Sequence, residues 1–281
     1  MNNYNSRNQL QSLTHEKIIV RKIKFDLRKE KINNWHSNNP FISHFYNGMS
    51  IMFPEGEKFF MDSVRYYQHK VDDAELKACI KHFFMQEGQH TKAHIQYNDL
   101  LEKTGHDLKK LEHYTIHGSE IYHKKHPLTQ LALVASFEHF TAILANSFLG
   151  NSSLFFKNSD PEFTRIWLWH SAEELEHKSV AYDLYLHMGG GYFRRCYAMC
   201  LATFRFFLNL TKSMFNLLKK EKQLFNVIMF IQGFCYLFIY PGLLIRLSLE
   251  YFKFFLPGFH PWKTDNHHLV KTWNTGPANV Q

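Results

Sequence analysis

Glutamates interrupt the apolar stripes of the predicted helices in this sequence, and this feature restricts the fold most strongly. Glu87 continues the stripe of Phe83 and Phe84, and Glu174 lies in a stripe that begins at Phe163. Residues three or four positions apart share one face of a helix, so these carboxylates point where a core should form. Because burying an unpaired carboxylate is costly, we expect a cation between the helices.

Two further glutamates repeat the pattern. Glu57 precedes Phe60 by three residues, and Glu138 lies between Val134 and Ala142 at helical spacing. Each of these carboxylates is predicted to face the core from a helix of its own. Four helices therefore contribute one buried glutamate each.

Two of the four helices also carry a histidine three residues after the glutamate, which places both side chains on one face. One glutamate from each of two helices, with a Glu-x-x-His pair from each of the other two, is the ligand set of ferritin-like dinuclear carboxylate proteins. We therefore predict two metal ions about 3.5–4 Å apart. The predicted ligands are Glu57, Glu87, His90, Glu138, Glu174 and His177.

Other residues lie near this predicted site. His94 and His170 share the face of the two Glu-x-x-His pairs, and each is either an additional ligand or a hydrogen-bonding partner that orients a ligand. Glu173 lies at the edge of the same arc and is predicted to be such a partner. Glu176 is predicted to face solvent beside Trp169.

A third Glu-x-x-His pair, Glu120 and His123, has a different setting. Its helical neighbours His117 and Lys124 are polar, and it lies in a His-rich stretch from residue 105 to 127. We predict that this stretch is a solvated linker and that the pair binds no metal, because spacing without an apolar stripe is weak evidence.

No strand pattern interrupts the helices, so the predicted fold class is all-α. We expect a ferritin-like four-helix bundle with a dinuclear metal site, extended by C-terminal apolar helices. The predicted divisions are an N-terminal arm (residues 1–40), the metal-binding bundle (41–190) and an apolar helical hairpin with a tail packed on the bundle (191–281). Pro54 predicts that the first helix begins near Phe53.

The composition restricts partners and location. The net charge of +8 suits an anionic partner, but no interleaving of aromatic and basic residues indicates nucleic-acid binding. The cysteines form no CxxC pair, which favours a reducing compartment. We therefore expect a cytoplasmic protein, peripheral to the inner face of the membrane.

Residues 224–245 carry no charged side chain, and as a helix they would extend about 33 Å, enough to cross a bilayer. Three interpretations stay open: helices buried against the bundle or in a homodimer interface, a hairpin dipping into one membrane leaflet, or a transmembrane segment. We expect the C-terminal part to cover the bundle and to form an apolar entrance to the metal site, and the substrate is then an apolar or lipid-like small molecule.

At the ligand motifs the chain resembles the bacterial family of predicted metal-dependent hydrolases. The resemblance covers about residues 18–273 and implies a metal site at the positions named above. The matching stretches are Phe53–Phe60, Gln86–His90 with His94, Glu138–Thr141, Trp169–Lys178 and Pro257–Trp262.

Three functions are compatible with the ligand set. The first is a diiron oxygenase or other oxidoreductase that activates O2 to oxidise an apolar substrate. The second, implied by the resemblance, is a metal-dependent hydrolase in which a bridging hydroxide is the nucleophile. The third is a non-enzymatic metal-storage or redox protein. Carboxylate and imidazole ligands favour two Fe ions, with Mn/Fe, Mn or Zn as alternatives.

Overall fold

Helices form most of the chain in this computed structural model, which describes residues 18–275 and contains no β-strand within them. The predicted all-α class is confirmed. The helices are α1 (Pro40–Gln68), α2 (Ala74–Lys103), α3 (Leu108–His123), α4 (Pro127–Gly150), α5 (Ser152–Phe155), α6 (Pro161–His177), α7 (Val180–His187), α8 (Tyr192–Lys220), α9 (Val227–Phe238), α10 (Leu243–Lys253) and α11 (His267–Thr275).

Helix α1 begins at Pro40, so the predicted start near Phe53 is wrong. The side chain of Asn39 caps the helix by accepting a hydrogen bond from the backbone N–H of Ile42 at 3.2 Å. Pro40 occupies the first helical position, where a missing N–H costs nothing. The same sequence signal therefore occurs twice, and the earlier proline begins the helix.

Pro54 lies inside α1, where a proline leaves the carbonyl four residues earlier without its helical partner. That carbonyl belongs to Ser50, and the side-chain amide of Asn98 on α2 donates to it at 3.0 Å. The Ser50 hydroxyl in turn donates to the Asn98 side-chain oxygen at 2.7 Å. Because α2 supplies the missing hydrogen bond, α1 continues through the proline.

The four helices that carry the predicted ligands pack around one another. Helix α1 packs on α2 and α4, and α6 packs on α4 and α2, so the four close a ring. Their core includes Tyr46, Phe83, Leu131, Val134 and Ile166, all fully buried. This ring brings the predicted ligand positions to one interior, while the specifically ferritin-like topology stays a prediction.

An extended segment precedes the helices and runs along α6. The backbone N–H of Asp26 donates to Glu162 at 3.0 Å, and that of Arg21 donates to Glu173 at 2.9 Å. Ile23 and the apolar residues that alternate after it are half-buried. Residues 1–17 of the predicted arm lie outside the described residues, and the proposed division into arm, bundle and C-terminal part stays a prediction.

The predicted linker between residues 105 and 127 is wrong, because α3 occupies most of it. Asp107 caps this helix by accepting from the N–H of Lys110 at 3.1 Å. Its few apolar residues include Leu111 and Tyr122, and both side chains are buried. These few apolar residues at helical spacing are sufficient to hold α3 in place because α1 and α8 pack against them. Glu120 of the third Glu-x-x-His pair is 63% exposed, as expected for a pair in contact with solvent.

The C-terminal helices cover one side of the ring. Helix α8 packs across α1 and α4, and α9 and α10 pack on each other and on the same two helices. Two segments are long and apolar enough to cross a membrane by length and composition: 127–150, which is mostly buried, and 227–253, which is about one-third buried. The first is therefore a core helix, and the second leaves much apolar surface exposed.

Candidate metal centre

The predicted ligand positions of α2, α4 and α6 meet around His177. Its Nε2 atom lies 3.2 Å from Glu87 Oε1, 3.3 Å from Glu138 Oε2 and 3.4 Å from Glu174 Oε2. His90 Nδ1 lies 3.5 Å from Glu174 Oε1. All five side chains are buried. The structure therefore brings these five predicted positions together.

Glu57 of α1 completes the cluster from the side of α2. Thr91 donates a hydrogen bond from its hydroxyl to Glu57 Oε2 at 2.7 Å. Glu87 and His90 each belong to two of the three side-chain groups whose ligand atoms lie within 4.8 Å of one another. The groups are Glu57–His90–His170, Glu87–His90–Glu174 and Glu87–Glu138–His177.

Many polar atoms of this cluster are buried without a hydrogen-bond partner in the described part of the chain. Buried polar groups in proteins are almost always paired, so such a concentration indicates a ligand. Oxygen and imidazole nitrogen atoms together suit Mn, Fe or Zn. The unpaired atoms are Glu57 Oε1, both oxygens of Glu87 and of Glu138, Glu174 Oε2, His90 Nδ1 and His177 Nε2.

Burial disfavours the negative charges of the cluster. It raises the pKa of Glu57 and Glu87 well above the ordinary value, and it raises the pKa of Glu138 to about 7. Burial also lowers the pKa of His90 well below its ordinary value, which keeps the imidazole in the neutral form that binds metals. Burial therefore favours the protonated, uncharged form of these three carboxyl groups unless a cation binds beside them.

The pKa shifts of His177 and Glu174 favour the charged forms of both side chains. Burial lowers the pKa of His177, but Glu174 and Glu138 outweigh that effect and raise it well above the ordinary value. Burial raises the pKa of Glu174, but His177 and His170 outweigh it and lower the pKa well below the ordinary value. The interior thus already favours positive charge at its centre. Four carboxylates would balance two divalent ions.

His94 and His170 differ in their distance from the carboxylates. His170 Nε2 lies 2.9 Å from Glu174 Oε1, and His170 Nδ1 lies 2.8 Å from His94 Nε2. Ser50 contacts the other nitrogen of His94 at 2.9 Å. His170 thus reaches the cluster directly, and His94 reaches it only through His170. Their roles as ligand or orienting partner stay predictions.

Glu173 contacts His90 rather than the centre of the cluster. Its Oε2 atom lies 3.0 Å from His90 Nε2, the arrangement by which a carboxylate orients a metal-binding imidazole. Burial raises its pKa to about 7, and Arg21 opposes that shift. Arg21 also lies 2.5 Å from Glu176, whose side chain is only 7% exposed. The prediction that Glu176 faces solvent is therefore wrong, because the extended segment covers it.

Gln86, Thr91 and Arg21 also contact the cluster and were not predicted from the sequence. The side-chain oxygen of Gln86 accepts a hydrogen bond from His177 Nδ1 at 2.8 Å, and its amide nitrogen donates to Glu176 at 2.7 Å. Arg21 belongs to a segment more than a hundred residues away in sequence. No helical stripe contains Arg21, so periodicity cannot find it; Gln86 and Thr91, by contrast, adjoin the predicted ligands Glu87 and His90.

We expect Arg21→Ala to lower the free energy of unfolding by about 2–4 kcal/mol, because it leaves two buried carboxylates without their cation. Metal affinity should fall by about 10–100-fold, since Glu173 would hold His90 less firmly. Urea unfolding and metal titration measure the two effects. The control Arg65→Ala removes an exposed pair with Asp62 and should cost about 1 kcal/mol or less. Equal losses in both variants would contradict this account.

The helices and the buried cluster together define an all-α protein with a candidate metal-binding site of carboxylates and histidines. The chain belongs to the family of predicted metal-dependent hydrolases, whose model matches residues 19–265. No curated protein and no solved structure matches it significantly. The family inferred from the motifs is thus confirmed, with metal dependence as its general property. The assignment of individual ligands and of iron stays a prediction.

Proposed function

We propose that this protein is a metal-dependent hydrolase with a dinuclear centre. The observation that carries the proposal is the set of buried, unpaired carboxylate and imidazole atoms between α1, α2, α4 and α6. Membership of the family of predicted metal-dependent hydrolases supports the same chemistry. Glu57, Glu87, His90, Glu138, Glu174 and His177 would hold the ions.

The bound ions would supply Lewis acidity and a water molecule activated for attack. The protein supplies orientation and proton transfer. Glu173 and Gln86 fix the rings of His90 and His177 by contacts of 3.0 and 2.8 Å. Glu57 keeps Oε1 without a partner in the described structure and lines a cavity beside the cluster. A carboxylate there can accept a proton from the attacking water.

Activation of O2 is the second candidate function, and the composition of the cluster favours it. Carboxylates outnumber imidazoles among the predicted ligands, and the neighbouring cavity has mainly apolar and aromatic walls. Exclusion of water protects reactive species from side reactions. In this case the two ions would be Fe, with Mn/Fe as the alternative, and the substrate would be oxidised rather than hydrolysed.

Anaerobic assays separate the two candidates. Protein purified without O2 and loaded with Zn, Mn or Fe is incubated with p-nitrophenyl acetate, p-nitrophenyl octanoate and bis(p-nitrophenyl) phosphate. The proposal expects hydrolysis of at least one ester without O2, and loss of that activity in Glu138→Ala. Consumption of O2 by the ferrous protein with a new visible absorption band, and no ester hydrolysis, would instead support oxidation.

A further inference from the structure

A cavity of about 70 Å³ lies beside Glu57, between α1, α3, α4 and α8. One enclosed water molecule needs only about 10–15 Å³, so the cavity can hold more than a single water. Aromatic rings form much of its wall: Phe60, Tyr122, Phe137, Phe140 and Phe206. Phe140 stacks on Phe206, and Phe60 stacks on Phe137. The wall is therefore ordered and apolar.

Three polar atoms in this apolar lining have no hydrogen-bond partner within residues 18–275. They are Glu57 Oε1, Thr115 Oγ1 and Ser119 Oγ. Thr115 and Ser119 are four residues apart on α3, so their hydroxyls share one face. Ser119 and Glu57 are almost completely buried. An apolar pocket with a few unpaired polar groups is typical of a small-molecule binding site.

Two glycines keep the space open. A Cβ atom added to Gly56 would meet no other atom within 4 Å, and one added to Gly118 would meet only the Asn209 amide at 3.7 Å. Both glycines line the cavity. A larger side chain at Gly56 would therefore enter the cavity without displacing the protein around it.

We propose that this cavity binds the substrate of the centre, and that the substrate is an amphiphile with a narrow apolar chain and one hydrogen-bonding group. The aromatic walls receive the chain, and the hydroxyls of Thr115 and Ser119 bind a carbonyl or hydroxyl oxygen. Glu57 belongs to both the cavity and the metal cluster, so a bound molecule lies next to the ions. This inference rests on the proposed function and adds the class of substrate.

The test measures binding of 1-octanol to the metal-loaded protein by isothermal titration calorimetry. Wild type should bind it, and Gly56→Leu should bind it at least tenfold more weakly because leucine fills the cavity. Gly88→Leu is the matched control: Gly88 also adjoins a predicted ligand and also has open space around its Cβ position, but it does not line the cavity. Circular dichroism checks that both variants keep their helices.

Metal content separates this proposal from the proposed function. Both leucine variants should retain the metal content of wild type, because neither replaces a ligand. Absence of octanol binding to wild type, or equal binding by Gly56→Leu, would overturn the cavity proposal even if the metals are present. Absence of metal would overturn the proposed function even if octanol binds.

A second inference comes from the surface of α9 and α10. Their outer sides carry apolar stripes: Val227 and Ile231 are 66% and 58% exposed, and Ile245 and Leu249 are 59% and 76% exposed. Their inner sides are apolar as well, because Leu243 and similar residues pack on the core. Helix α9, which carries no charged residue, is therefore apolar on both sides, and such a helix is normally enclosed by protein or lipid. No described part of the chain covers the outer stripes.

Basic residues border this apolar surface. Lys219, Lys220 and Lys222 are exposed directly before α9, and Arg246 is exposed on α10. Glu221, the acidic residue among these lysines, lies 3.3 Å from His106. The whole chain carries a net charge of +8. Lysines beside exposed apolar residues are typical of proteins that dock on anionic lipids.

We infer that α9 and α10 dock on an anionic phospholipid bilayer without crossing it. The apolar stripes would enter the acyl region, and the three lysines would contact the headgroups. The observations favour a bilayer over a second copy of the chain, because pairing this surface with itself would bring two basic borders into one interface.

Sedimentation with vesicles tests this inference. The protein should sediment with phosphatidylcholine vesicles that contain one-third phosphatidylglycerol, and at least tenfold less with pure phosphatidylcholine. The triple change Lys219→Gln, Lys220→Gln and Lys222→Gln should abolish most binding, as should Ile231→Glu. The control Lys58→Gln changes an exposed lysine on α1 and should bind as wild type does. A protein that ignores both vesicles, or forms a dimer through these helices that Ile231→Glu separates, would overturn the inference.

Discussion

Replacing Glu138 by alanine should remove at least one metal equivalent from each chain and leave the helices intact. Glu138 Oε2 lies 3.3 Å from His177 Nε2 in the centre of the cluster. Neither of its carboxylate oxygens accepts a hydrogen bond from the backbone of the described residues, so alanine removes the contact with His177 but no hydrogen bond of the helices. The lost side chain therefore affects the metal far more than it affects the helices.

The effect appears in both metal content and thermal stability. A ligand present at a hundred times its dissociation constant stabilises a folded protein by about 2.7 kcal/mol, so wild type should melt at a higher temperature when metal is added. Glu138→Ala should gain much less. Glu120→Ala, which changes an exposed glutamate with the same x-x-His spacing, should behave as wild type. Full metal content in Glu138→Ala would show that the ligand assignment is wrong.

Metal binding should release protons and strengthen as the pH rises through about 7. Burial raises the pKa of Glu138 from 4.5 to about 7. Between these values the folded metal-free protein keeps a proton that the unfolded chain releases, so stability falls as the pH rises. For Glu138 alone the free energy of unfolding falls by on the order of 3 kcal/mol as the pH rises from below 4.5 to above 7. Metal ions displace the same proton, so their apparent affinity changes in the opposite direction.

Calorimetric titration in two buffers of different ionisation enthalpy counts the released protons. At about pH 6 at least one proton per chain should be released, with fewer at about pH 8. Burial raises the pKa of Glu57 and Glu87 as well, so any contribution from these two groups has the same sign. Glu138→Gln, which cannot ionise at this position, is the control. An affinity that does not change between these pH values would contradict the charge balance described here.

The ligand cluster could be predicted from the sequence because it depends on local periodicity. Glu87 and His90, like Glu174 and His177, are three residues apart, and a helix fixes their common face whatever packs against it. Glu138 is recognisable because apolar residues surround it at helical spacing. Each helix thus carries its own evidence, and four such helices leave few ways to bury their carboxylates.

Long-range contacts account for what the sequence analysis missed. The side chain of Glu176 is covered by Arg21, which reaches it from an extended segment distant in sequence. Helix α1 continues through Pro54 only because Asn98 of another helix donates to the carbonyl of Ser50. Neither contact has a periodic signal. The same holds for the cavity, whose walls come from four helices.

The two surfaces proposed here are compatible with one another. A protein that docks on a bilayer through α9 and α10 has access to amphiphilic molecules dissolved in that bilayer. Helix α8 connects the two regions, since Phe206 and Asn209 line the cavity while Lys219 and Lys220 border the apolar surface. Octanol titration tests the cavity and vesicle sedimentation tests the α9–α10 surface, so either result can be negative without affecting the other.

The metal content of the anaerobically purified protein decides whether the chain holds a dinuclear centre. Elemental analysis by mass spectrometry, with the protein concentration determined on the same sample, should give two metal ions per chain after loading with Fe, Mn or Zn. Glu138→Ala should give one or none, and Glu120→Ala should give two. A wild-type chain that binds no metal under any of these conditions, or a Glu138→Ala variant that keeps two ions, would contradict the dinuclear centre.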